Sequence, residues 1–84
     1  MHDLHEADKI LKLILEYGKK NQLKKITSAV IRLGVIIEHG SEIQPDNLYF
    51  NIKMLAKDTM AENIELDIKT IKSDSWELVE IKGE

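Results

Sequence analysis

Between residues 26 and 37 the side chains of Thr27, Ala29, Ile31, Leu33, Val35 and Ile37 fall on one side of a period-two pattern, with Ser28 and Arg32 on the other. A strand of this kind has one apolar face, which another layer of the fold must cover. Residues 4–21 supply one cover: Leu4, Ala7, Ile10, Leu11, Ile14, Leu15 and Gly18 recur at three- and four-residue spacings and share one helical face. Asp3, Glu6 and Asp8 in its first turn and Lys19 and Lys20 in its last match the signs the helix dipole favours at each end.

The pattern breaks at Glu38-His39-Gly40-Ser41-Glu42, which reads as a loop. Pro45 then suits the first turn of a second helix, where a missing N–H costs nothing, and Leu48, Ile52 and Leu55 form its apolar stripe to about residue 57. Residues 64–70 alternate cleanly and predict a second strand, residues 72–75 a turn, and residues 76–82 a third strand. The order αβαββ predicts an α/β chain of the two-layer α+β kind, with two helices on one face of a three-stranded mixed sheet. A helical crossover would join the first two strands and a hairpin the last two.

A chain of 84 residues can bury one core, so a single domain over residues 1–84 is expected. The formal charge is −3 and the lysines are dispersed, which removes the electrostatic footprint of a nucleic-acid binder. Apolar runs fall short of the roughly 20 residues a membrane helix needs, so no membrane partner is expected either. The start, Met1-His2-Asp3-Leu4-His5-Glu6, is acidic and leads into the amphipathic stripe rather than a secretory signal, which predicts a cytoplasmic protein. There is no cysteine, so disulfides, thiolate zinc sites and a cysteine nucleophile are all excluded. Any metal must be held by nitrogen and oxygen.

The first residues carry the sharpest chemistry. Histidine at position two lets the Met1 amine, the His2 amide nitrogen and the His2 imidazole close adjacent chelate rings on one ion, a planar nitrogen set suited to Ni(II) or Cu(II). His5, three residues on, could reach the same helical face, and His39 in the glycine-containing loop could swing toward a metal. The plainer alternative for each histidine is a solvated polar side chain. Trp76 reads either as core or as a partner anchor, and Glu62, Glu65, Asp67, Asp74, Glu77 and Glu80 as solvated strand faces. The serines have no glycine-flanked elbow and the chain has no phosphate-binding glycine loop, so an enzyme is not expected.

Met1-His2-Asp3-Leu4 followed by Ala7 and Ile10-Leu11 resembles the opening of the HypA/HybF hydrogenase nickel-incorporation family, which begins Met-His-Glu. The resemblance continues through Ser28-Ala29-Val30-Ile31-Arg32-Leu33-Gly34 and Pro45-Asp46-Asn47-Leu48-Tyr49-Phe50, and through residues 55–68, where the family has Leu-x-x-Gly-Thr-x-x-Glu-Gly-Ala-x-Leu-x-Ile. It implies nickel held at Met1 and His2, with Asp3, His5 or His39 completing or orienting the site. It further implies delivery to a hydrogenase large-subunit precursor with the family's maturation GTPase.

Three departures stand out. The family's zinc module, with two Cys-x-x-Cys pairs, is missing near residues 71–76, so no zinc is expected. Asp3 replaces the usual Glu, and His5 stands where Ser is common. The segment between Gly34 and Pro45 is about four residues longer than the family's and carries His39. Two functions therefore stay open: a nickel metallochaperone, or a metal-free interaction module that keeps the fold and acts through homodimerisation or the long loop.

Overall fold

The structure is a computed structural model that describes the backbone of residues 2–34, 37, 38, 41, 42 and 44–84, and the side chains of residues 5–34 and 44–84. The described elements are α1 (His2–Lys20), β1 (Ile26–Leu33), β2 (Ile37–Glu38), β3 (Ser41–Glu42), α2 (Pro45–Leu55), β4 (Glu65–Thr70) and β5 (Trp76–Gly83). They form a three-stranded sheet in the order β4-β1-β5 and a separate two-stranded ribbon of β2 and β3.

β1 pairs parallel with β4 and antiparallel with β5. Ala29, Ile31 and Leu33 sit beside Leu66, Ile68 and Thr70 on one side and Ile81, Leu78 and Trp76 on the other. This is the face the alternation marked as apolar. Against it pack Ala7, Ile10, Leu11 and Ile14 of α1 and Leu48 and Ile52 of α2, all at most 5% exposed. Two helices therefore cover one face of a mixed three-stranded sheet, as the element order predicts. The opposite face carries exposed Arg32 between Lys69 and Glu77.

Three local expectations are corrected. The first strand ends at Leu33 rather than at residue 37, and the expected loop at 38–42 contains part of the β2–β3 ribbon, with Ile37 opposite Glu42 and Glu38 opposite Ser41. The last two strands do not form a hairpin, because β1 lies between them. The strand with the most apolar inward face takes the centre, where both its edges are paired, and the two charge-alternating strands take the edges. Near the start of β1, a register shift between Ile26 and Ser28 turns Ile26 into the core, fully buried, and leaves Thr27 half-buried.

The link over residues 71–75 crosses the end of β1. The Ile71 N–H donates to the Leu33 carbonyl at 2.9 Å, and the Gly34 N–H donates to the Ser75 carbonyl at 2.9 Å. A Cβ on Gly34 would meet the Ser73 carbonyl oxygen at sub-contact distance and the Ser75 oxygen at 2.6 Å, so only glycine fits beneath the link.

Both helices run against β1. Gln22 at φ 58 turns the chain after α1, and Gly18 lies beside Ile26 at the start of β1. The segment after α2 is fastened at the same end, where the Ile26 N–H donates to the Met60 carbonyl at 2.8 Å and the Lys53 ammonium to the Ile64 carbonyl at 2.6 Å. The first turns of α1 and α2 therefore lie together at the end of the sheet where β1 finishes.

Candidate metal site

α1 begins at His2. The first four N–H groups of a helix have no acceptor within it, so the His2 amide is not committed to the helical ladder. Positions 2 and 5 are three apart on this helix and share a face, and His5 is exposed. Asp3 occupies the next helical position after His2; the side chains of His2 and Asp3, and the whole of Met1 and His39, lie outside the described residues. Among the described residues no group of three or more His, Cys, Asp or Glu could hold a metal ion.

One residue of this turn has a role that its position in the helix did not announce. Glu6 is buried, at 8% exposure, and its Oε2 accepts the Trp76 indole N–H at 2.9 Å; the Lys9 ammonium lies 3.7 Å from Oε1. Trp76 is half-buried, packs against the core and pairs in register with Leu33. A carboxylate removed from water is costly unless hydrogen-bonded, so this bond fixes the first turn of α1 to the end of the sheet. Of the two roles open to Trp76, a covering residue beside the core is the one it takes. The signal for Glu6 was its spacing: Glu6, Ile10 and Ile14 are successive i, i+4 positions on the buried face.

The profile of HypA, described as hydrogenase/urease nickel incorporation, metallochaperone, matches residues 1–76. The hydrogenase maturation factor HypA of Archaeoglobus fulgidus is 30% identical over 74 residues, covering 88% of this chain and 64% of that protein. The factor of the same name from Albidiferax ferrireducens is 25% identical over 76 residues, covering 90% of this chain and again 64% of its own length. The chain thus spans a little under two thirds of the curated relatives it matches. The solution structure of the Ni metallochaperone HypA from Helicobacter pylori shares the fold, with a TM-score of 0.77 at 14% identity and 96% of each chain covered.

Fold and helix end together define a small two-layer α+β protein that carries a histidine-bearing N-terminus on its first helix. The chain belongs to the HypA hydrogenase/urease nickel-incorporation family.

Proposed function

We propose that this protein is a nickel metallochaperone rather than an enzyme, holding Ni(II) at its N-terminus and assisting its insertion into a hydrogenase precursor in the cytoplasm. The Met1 amine, the His2 amide and the His2 imidazole form the chelate, and Asp3 and His5 complete or orient it. The observation that carries the reading is the start of α1 at His2, which leaves that amide without a helical partner while the family match runs from residue 1. A planar set of three nitrogens suits Ni(II). The relatives named above are hydrogenase maturation factors, and no helix among the described residues is long and apolar enough to cross a membrane.

We read residues 1–84 as one nickel-binding domain without a zinc module. The short link over 71–75 joins β4 to β5 directly, and the chain has no cysteine to hold zinc. The maturation GTPase and the hydrogenase large-subunit precursor are the partners this reading requires. A nickel titration of the protein and of His2→Ala tests it: binding at one ion per chain, lost in the variant, supports the chaperone. Nickel binding that His2→Ala leaves intact, or none at all, favours the metal-free interaction module.

A further inference from the structure

Among the described residues Glu6 is the one buried polar side chain, and the Trp76 indole N–H donates to it at 2.9 Å. Trp76 is itself held on the sheet: it pairs in register with Leu33, and the Ser75 carbonyl before it accepts the Gly34 N–H at 2.9 Å. The bond therefore runs from a fixed point at the end of the sheet to the first turn of α1. Among the described residues Ala7 is the first side chain of α1 in the core, and the next, Ile10, lies three residues on. A helix end held by so little apolar surface frays unless something else ties it down. Glu6 is that tie.

What the tie controls follows from the chelate, and so rests on the nickel reading above. The Met1 amine, the His2 amide and the His2 imidazole are contiguous in the chain, so their rings close whether or not the helix is wound. They fill three corners of the square plane that suits Ni(II), and the fourth must come from a group the fold brings near. His5 is that group by position. It shares a helical face with His2 at i, i+3, offers a nitrogen donor and is exposed. The relation holds only while residues 2–5 stay helical, and Glu6 is the next residue along.

We propose that the hydrogen bond between Glu6 and Trp76 is the positioning contact of the nickel site, holding the first turn of α1 wound so that the His5 imidazole takes the fourth corner. Neither Glu6 nor Trp76 is a ligand; both act through His5.

Nickel chloride titrated into the full chain tests this, followed by calorimetry and absorbance at a temperature where every variant keeps the circular dichroism of the unaltered protein. Trp76→Phe and Glu6→Ala should each still bind one ion, about 10–100-fold more weakly, the usual effect of losing a group that orients a ligand. Their nickel absorption band should move to longer wavelength, as it should in His5→Ala, because water, a weaker-field ligand, replaces the imidazole. Glu6→Gln keeps an acceptor for the indole and should retain most of the affinity. Trp76→Phe combined with His5→Ala should bind as His5→Ala alone does, since the contact has nothing to position once its ligand is gone. Ile26→Val removes a methyl group from the core where β1 begins, at the far end of the sheet. It should lower stability and leave nickel affinity unchanged. Full affinity in Trp76→Phe and Glu6→Ala overturns the proposal. So do losses that simply add in the combined variant, and so does an equal loss in Ile26→Val, which would make affinity follow stability alone. Those results leave the chaperone reading standing as long as His2→Ala abolishes binding, whereas an unaltered protein that binds no nickel removes both.

Discussion

Trp76 and Glu6 lie seventy residues apart in the chain and are joined by a 2.9 Å hydrogen bond from the indole N–H to the carboxylate. The bond links the first turn of α1 to the strand that closes the sheet. With Glu6 at 8% exposure, losing either partner leaves a polar group poorly satisfied. Trp76→Phe and Glu6→Ala should each cost about 1–3 kcal/mol. Glu6→Gln keeps an acceptor oxygen and should lose less. For a chain of this size each kcal/mol lowers the melting midpoint by about 4–8 °C. In a double-mutant cycle, purely additive losses would show that the bond contributes nothing.

Gly34 predicts a larger local effect for a smaller change. Its neighbours across the crossing link are backbone atoms of Ser73 and Ser75, which cannot swing aside as a side chain could. Gly34→Ala should therefore destabilise by about 2–3 kcal/mol, at the upper end of the usual cost of overpacking. Chemical denaturation would check it, and a loss under about 0.5 kcal/mol, the ordinary range for a surface substitution, would mean the link moves freely.

Much of this arrangement was legible in the sequence. The three- and four-residue spacing of Ala7, Ile10, Leu11 and Ile14 and the alternation of Ala29, Ile31 and Leu33 mark the buried faces, because burial on one side is what creates such periods. The early end of β1 was not legible, since Val35 and Ile37 continue the alternation and nothing local shows that a link 40 residues later crosses at Gly34. The order β4-β1-β5 was hidden for the same reason: alternation in residues 64–70 and 76–82 declares strands but not their partners. At the candidate site the histidines were visible as chemistry, whereas the role of Glu6 depends on Trp76, a contact made only once the sheet is complete.

Metal removal should leave the fold unaffected. Among the described residues the buried core is built from side chains of α1, β1 and α2 together with Ala56, Ala61 and Ile64 of the segment after α2, and without cysteine the chain has no thiolate zinc site to support it. Treatment with a chelator should leave the thermal midpoint where it was. A clear fall would mean that a bound metal holds part of the structure together.

Nickel affinity, by contrast, should depend strongly on pH. The amine, amide and imidazole ligands must each lose a proton to coordinate, and a free histidine titrates near about 6.5, so falling pH favours the protonated, metal-free form. Between pH 7.5 and pH 5.5 the dissociation constant should rise by at least about tenfold, with the circular dichroism spectrum unchanged. A flat affinity across that interval would mean that carboxylates, not nitrogens, hold the ion.

Whether nickel is held by the chain's own N-terminus is decided by a comparison of two forms of the protein. Calorimetric titration of nickel into the protein beginning at Met1, and into the same protein bearing an acetyl group on its N-terminal amine, separates the α-amine from every side chain. Acetylation converts the Met1 amine into an amide, supplies no new amine, and leaves His2, Asp3, His5 and His39 in place. Loss of a direct ligand should exceed the roughly 10–100-fold cost of losing a supporting group around a metal. The acetylated protein should bind nickel more than about a hundredfold more weakly. Equal affinity in the two proteins would contradict it and move the site to the remaining histidines.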